Sequence, residues 1–450
     1  MGECGAMNVS TELRKLVLGV DEKVPLANGE YVTGINFDNA GTTPPFISVM
    51  EEIMDFAPWY SSIHRGTGYK SRLSSKLYED GRNIIRSFVN GDEYRDVVIY
   101  TKSTTESINI LCHRLAQEGK EYIILSTEME HLANDLPWRE KFQVEYVGVT
   151  EEGQLSLYDL EKKLLKYAGK VKLVTVTGAS NVTGYINPIY KIAALAHQYG
   201  TQILVDGAQL VPHAPIDMKP YDAMDHIDYL VFSAHKMYAP FGIGVLIGHK
   251  KTFAKGEPVY KGGGNVRLVS HQFVELEDPP AKEESGTPNV IGVAAFVRGI
   301  KTLGSIGMNR IHQYESDLIR YAIEGLQEIP EIKLYCNCDK NEKRVSLISF
   351  AMQGMPHDLL AQILSCEAGI GVRSGLFCAH PYVEKLLKMS TEDLEYFHHH
   401  HDVPVPGLVR ISLGLYNNYH EIDLLVKLLA EIAENKHHYK QKYRKMKGSR

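Results

Sequence analysis

An α/β fold with a mainly parallel sheet, followed by a smaller α+β unit, is what this 450-residue sequence predicts. Three observations carry the prediction. Short runs rich in Val, Ile and Leu alternate with longer helical patterns between about residues 95 and 250, the order that builds layered α/β units. A strand, a helix and a second strand fit between Leu173 and Asp206, with Pro188 near the first helical turn and Gly200 at its end. That succession makes a parallel crossover. After about residue 300 the texture changes to long helical patterns with isolated strands.

The expected buried strands are Asp96–Tyr100, Tyr122–Ser126, Leu173–Thr177, Ile203–Asp206, Tyr229–Ser233 and Gly244–Gly248. Ligands are expected beyond the carboxyl ends of such strands. Further on, the pattern predicts a helix from Gly304 to Ile329, stopped by Pro330, then strand Val345–Phe350 and helix Asp358–Ala368. Strand Val409–Leu413 and a last helix, Glu421 to Asn435, complete the order. The tail Lys436–Arg450 holds seven Lys or Arg and is expected to fray.

Composition narrows the class. Hydrophobic residues at 44% and charged residues at 23% match an ordinary globular chain and exclude collagen-like, disordered and disulfide-scaffold proteins. The net charge of −6 argues against a general nucleic-acid binder. Apolar stretches such as Ile291–Phe296 fall far short of a membrane span of about 20 residues, and the start lacks signal-peptide order. The opening Met-Gly has Ala6 where myristoylation wants Ser or Thr. A cytoplasmic protein is the expectation, so Cys4, Cys112, Cys336, Cys338, Cys366 and Cys378 are expected as free thiols. Cys336-Asn-Cys338 is too tight for a metal pair, and His398–His401 is expected in a solvated loop, so no metal site is predicted.

The chemistry concentrates at strand ends. Ser233-Ala-His-Lys236 follows one strand, and Asp206 ends another. An acid and a lysine brought to one crevice are the pair pyridoxal phosphate needs, the amine to condense with its aldehyde and the carboxylate to keep its ring nitrogen protonated. Strand Asp96–Tyr100 runs into Thr101-Lys-Ser-Thr-Thr-Glu106, where Ser103 and Glu106 have capping-box spacing and Thr104 and Thr105 can face an anion. His131, after strand Tyr122–Ser126, points to the same crevice, where it can stack on a ring and move protons. Gly262-Gly-Gly264 can either approach a ligand or serve as a flexible connector.

On these residues the sequence resembles the class V aminotransferase-type enzymes of pyridoxal-phosphate fold type I, most closely the group II (Suf-type) cysteine desulfurases and selenocysteine lyases. The resembling segments run from Phe37-Asp-Asn-Ala-Gly-Thr-Thr-Pro44 to Arg410-Ile-Ser-Leu-Gly-Leu-Tyr416. The resemblance implies a seven-stranded, mainly parallel sheet in a large domain, 31–300, and a small α+β domain, 301–435, carrying a catalytic cysteine loop. An N-terminal segment, 1–30, would pack on the small domain, and 436–450 would be the basic tail. Lys236 matches the cofactor-bearing lysine, Asp206 the pyridinium partner, Gln209 the contact to the ring hydroxyl and His131 the stacking histidine. Thr104, Thr105, Ser233 and His235 match phosphate ligands. Gly286-Thr287 and His64-Arg-Gly match segments that reach the other subunit's site, implying a homodimer. Asn181 and Arg410 match residues that hold the substrate carboxylate.

Val372-Arg-Ser-Gly-Leu-Phe-Cys-Ala379 resembles the desulfurase loop, which makes Cys378 the nucleophile that takes sulfur as a persulfide and Arg373 its substrate-side neighbour. A nearby cation favours the thiolate such an attack needs, whereas a cysteine used only as a small hydrophobe is the structural alternative. The implied reaction takes sulfur from L-cysteine, or selenium from selenocysteine, and releases alanine, with a sulfur-acceptor protein as partner. Two departures stand out. Leu376-Phe377 occupies positions often polar in the family, and the 32 positions from Cys378 to Arg410 exceed the usual connection. A C–S lyase, epimerase or aminotransferase that does not use Cys378 remains open on this scaffold, as does a non-catalytic sulfur-transfer scaffold.

Overall fold

The computed structural model describes residues 11–336 and 342–447; Cys4 and Cys338 lie outside the described residues. Aliphatic runs form the centre of the molecule as seven strands: β1 (Asp96–Thr101), β2 (Ile123–Thr127), β3 (Gln143–Val147), β4 (Val171–Thr177), β5 (Gln202–Asp206), β6 (Tyr229–Ser233) and β7 (Gly244–His249). They lie in the order β1-β7-β6-β5-β4-β2-β3. From β6 through β5, β4 and β2 to β3 the neighbours run parallel, and β7 is antiparallel to both β6 and β1. All six expected strands are present within a residue or two. The seventh, β3, is an edge strand with only Val147 buried, so it lacks the continuous apolar run that marks the others.

Helices cover the sheet: α1 (Tyr69–Phe88), α2 (Thr104–Ala116), α3 (Ile189–Gln198) and α4 (Val290–Ile306). Pro188 caps the start of α3, and Gly200 lies just past its end with φ +68°. The helix expected from Gly304 to Ile329 is instead the end of α4 and a separate α5 (Met308–Gln327), bent by 77°. Gly307 sits between them at φ +92°, outside helical space and costly for any residue with a Cβ. Among the described residues no single helix is long and apolar enough to cross a membrane.

A second sheet comprises β8 (Ile332–Leu334), β9 (Leu347–Met352), β10 (Arg373–Gly375) and β11 (Leu408–Ser412), antiparallel throughout in the order β8-β9-β11-β10. Helix α6 (His357–Ala368) leads toward β10. Ile370–Gly371 pairs in parallel with Ile35–Asn36, and Arg14 reaches Glu421 at 2.8 Å, so residues 14–36 are fastened to the part of the chain beyond β9. The Cys378–Arg410 connection folds as α7 (His380–Leu386) and α8 (Thr391–His399). His398 and His399 therefore close a helix rather than lie in a loop, although the expected solvent exposure is met. After α9 (Tyr419–Glu434), the tail expected to fray forms α10 (Lys436–Lys447). Tyr439 and Tyr443, one turn apart, are buried together, and Tyr443 and Lys442 both meet Glu367 of α6. That apolar face is what the basic composition conceals.

Candidate active site

Parallel strands deliver their last residues to one edge of the sheet, and there Thr177, Asp206 and Ser233 line a cavity of about 270 Å³. Lys236 stands on the short turn Ala234–Lys236 that follows β6 and enters the same cavity. Burial, reinforced by the charge of Arg410 and opposed by Asp206, lowers its ammonium to about 8. Asp206 is buried and accepts a 2.9 Å hydrogen bond from the Ala208 amide. Burial raises its pKa, while that amide and Lys236 act the other way. Gln209 donates through Nε2 to the Ala40 carbonyl at 2.8 Å, which leaves its buried Oε1 with no partner at the cavity. A buried acceptor in that state calls for a donor from a ligand.

The opposite end of the cavity is built for an anion. Ser103 caps α2, accepting from the Glu106 amide, while Glu106 reaches back to the Lys102 amide at 2.6 Å. Ser233 Oγ bonds both the Thr104 amide (2.8 Å) and the Thr104 hydroxyl (2.7 Å), tying the helix start to the end of β6. Thr105 and His235 complete this end. Burial first, then the charge of Lys236, lowers His235 to about 4, so it is neutral at pH 7. Its carbonyl accepts from the Thr43 amide at 2.9 Å, which fastens the Asp38–Thr43 segment beneath Lys236.

His131 lines the third wall. Its Nδ1 accepts from the Ala133 amide at 3.0 Å, so the neutral ring carries its hydrogen on Nε2. Burial, aided by the charges of Lys236 and Arg410, lowers its pKa to about 4. Behind it Glu130 is held by Thr127, Asn134 and the Thr177 amide, and burial raises its carboxyl to about 8. Glu130 and its Asn134 partner therefore brace the turn that aims His131.

Arg410, on β11, is buried and donates to the Asn181 carbonyl (2.8 Å) and Asp38 Oδ1 (3.2 Å), over the ring of Phe377 at 5.0 Å. Burial lowers its pKa to about 10, partly offset by Asp38, so it stays charged at pH 7. Arg373 meets the other oxygen of Asp38 at 2.7 Å. Asp38 thus clamps both arginines at the cavity mouth, a placement that sequence reading missed although Asp38 stood in a quoted segment. A Cβ at Gly41 would lie 2.6 Å from Arg373 Nη2 and 3.1 Å from the Asp38 oxygens, so a larger residue would displace the end of the Arg373 side chain and crowd the Asp38 clamp. Asn181 turns its side-chain amide to the Phe377 carbonyl at 2.7 Å and so holds the loop.

Phe377 and Cys378 both adopt left-handed backbone, φ +50° and +53°, which lifts Cys378 to the cavity with an exposed thiol. The Leu132 amide donates to the Cys378 carbonyl at 2.7 Å, docking this loop on the His131 turn. Thr287, by contrast, is exposed and outside this chain's cavity, as are His64 and Arg65. His64 pairs with Glu79 at 2.9 Å, and Gly286 donates to the Gly263 carbonyl, which places the Gly262–Gly264 run away from the cavity too.

Comparison with known proteins fits this geometry. Residues 35–425 match the aminotransferase class-V family model. A probable cysteine desulfurase of Halalkalibacterium halodurans is 33% identical over 434 residues, covering 94% of this chain and 98% of that one. A cysteine desulfurase of Haloferax volcanii is 32% identical over 93% of this chain and 94% of its own. Among solved structures, an apo cysteine desulfurase from Thermococcus onnurineus superposes with TM-score 0.79 and 30% identity, covering 89% of this chain and 95% of that one. An Escherichia coli cysteine desulfurase gives 0.77 and 26% over 94% and 98%. With its strand order, its lysine and acid at adjacent strand ends and a family match over most of its length, the chain belongs to the class V aminotransferase family.

Proposed function

We propose that the chain is a pyridoxal-5'-phosphate-dependent cysteine desulfurase that takes sulfur from L-cysteine as a persulfide on Cys378 and releases L-alanine. The observation that carries this reading is one cavity lined together by Cys378, Lys236, Asp206 and Arg410. The donor set fits the cofactor. Thr104, Thr105, Ser233 and His235 would hold its phosphate, Asp206 its pyridine nitrogen, the orphaned Gln209 Oε1 its ring hydroxyl and His131 its ring face. When bound, the cofactor supplies an electron sink for bonds made and broken at the substrate's Cα and Cβ.

Arg410 binds the substrate carboxylate by a charged fork, with Arg373 beside it, both released in part from Asp38. Lys236, with a pKa near neutrality, takes the proton from Cα. The Cys378 thiolate attacks the substrate sulfur: an S–S bond forms, the Cβ–S bond breaks and its electron pair stays with the three-carbon fragment. Protonation at Cβ then gives alanine, so that thiol plus cysteine yield persulfide plus alanine with no outside oxidant. His131, neutral and pinned at Nδ1, serves as an Nε2–H donor and stacking surface. Asn181 acts as a positioning residue for the Cys378 loop.

The exposed Thr287 supports a homodimer in which it completes the partner's phosphate end. A cytoplasmic enzyme that hands its persulfide sulfur to an acceptor protein completes the proposal.

Peptide mass spectrometry after brief exposure to L-cysteine without reductant tests the reading. The expected result is one sulfur atom added to the Cys378 peptide, with alanine released and the Cys378→Ser variant unlabelled. Continued turnover to pyruvate and sulfide with Cys378 unmodified would make the chain a C–S lyase instead. A second expectation concerns cofactor loading. Lys236 condenses as the free amine, and its ammonium loses the proton at about 8. Reconstitution of cofactor-free protein therefore speeds up between pH 7 and pH 9, followed by the growth of visible absorbance. A rate independent of pH over that range would show that another step limits loading.

A further inference from the structure

We propose that His197, His226 and Asp228 bind a divalent transition-metal ion of the Zn²⁺ type, with a fourth position left to water, at the end of the sheet opposite the cavity. Asp228 immediately precedes β6 and His249 ends β7, whose antiparallel register brings it beside Asp96 at the start of β1. His197 lies in the last turn of α3. One ligand atom from each of His197, His226 and Asp228 lies within 4.8 Å of the others.

The tautomers carry the argument. His197 Nδ1 is 2.7 Å from the Met224 carbonyl, and His226 Nδ1 is 2.7 Å from the Ala223 carbonyl. A carbonyl only accepts, so both Nδ1 atoms carry the hydrogen. In the neutral rings each Nε2 is then a bare lone pair, and each is aimed at a carboxylate. His197 Nε2 lies 2.9 Å from Asp228 Oδ2, His226 Nε2 3.4 Å and His249 Nε2 3.1 Å from Asp228 Oδ1. Lone pairs facing lone pairs need something positive between them. Protonating both rings would stack two cations, since the His197 and His226 rings lie 4.2 Å apart at 21°. One metal ion would satisfy the Nε2 atoms of His197 and His226 and the Asp228 carboxylate at once.

The His226 Nε2 is also buried and makes no hydrogen bond, so it is left free for a ligand. An imidazole that donates Nδ1–H to a carbonyl and offers Nε2 is the usual outer arrangement of a metal-ligating histidine. Asp228 is fixed by the Ile203 amide at 2.8 Å, and His249 Nε2 lies 3.1 Å from its Oδ1 as an outer partner. Two imidazoles and one carboxylate, with water in the fourth position, suit Zn²⁺ and its tetrahedral analogues. The half-exposed Tyr221 covers the group, its ring 4.7 Å from that of His226 and 5.0 Å from that of His249. A bound ion would tie α3 to the start of β6.

The test uses the full-length, cofactor-loaded chain with His398–His401 changed to alanine, which removes an exposed competing histidine run. After dialysis against chelator it is titrated with Co²⁺ and Zn²⁺. The expected result is one equivalent of tightly bound Co²⁺, with visible ligand-field bands and no thiolate charge-transfer band, and a raised Tm with Zn²⁺. H197Q and H226Q, or H197N and H226N should either of them fail to fold, should each weaken binding by at least ~10-fold while keeping the cofactor's visible band. No stoichiometric binding, a thiolate band, or equal affinity in the folded glutamine variants would overturn the proposal.

Discussion

Lys236→Ala lowers alanine formation from L-cysteine by at least ~10³-fold, within the range that a positioned acid–base group supplies, and abolishes the cofactor's protein-bound visible band. Two functions leave together in this variant. The condensing amine is lost, and so is the group that moves the Cα proton. The fold should survive, because removing an ammonium whose pKa burial has lowered to about 8 relieves a cost rather than creating one. Circular dichroism and Tm close to those of the unaltered chain would establish that. Added small amines should restore part of the rate, since they replace the proton carrier. Turnover within tenfold of the unaltered chain would remove Lys236 from the mechanism.

Asp206→Ala is the second large effect, about 10²–10³-fold in turnover, the scale of removing one preorganised charge from a water-poor site. It carries a signature a merely structural role would not give. Asp206 holds the Lys236 ammonium up against burial, so its loss moves the Lys236 titration below about 8. The pH midpoint of cofactor loading should therefore shift to the acid side, read by visible absorbance. Asp206→Asn should keep the fold and show the same shift. An unchanged midpoint in both variants would mean that the carboxylate does not act on the lysine.

Some elements were legible in sequence and others were not, each for a physical reason. The buried strands announce themselves because a parallel sheet covered on both faces demands unbroken apolar runs, as in Tyr229–Ser233. The edge strand Gln143–Val147 alternates polar and apolar residues and was passed over. The break at Gly307 was hidden inside a continuous helical pattern, since one backbone angle, not composition, makes it. The C-terminal helix was hidden by its charge, because two tyrosines one turn apart carry its packing. At the site, Lys236 and Asp206 each end a recognisable strand and could be placed in advance. Asp38 could not, since its two arginine partners stand 335 and 372 positions away. The cluster around Asp228 brings His197 of one helix to the His226–Asp228 pair of a later segment, which is why only the fold reveals it.

The span from Asp38 to Arg410 has a meaning for how the protein is made. A ribosome adding about 5–20 residues per second needs roughly 20–70 s to cover those 372 positions. Throughout that interval the nascent chain can finish the large sheet, with its lysine and anion end, while the carboxylate-binding wall does not yet exist. A polypeptide released before β11 would retain a basin open to water and lacking Arg410. Capture of the amino acid is therefore a late event of biosynthesis, and termination between β7 and β11 leaves a product that keeps the lysine and anion end but lacks the carboxylate-binding wall.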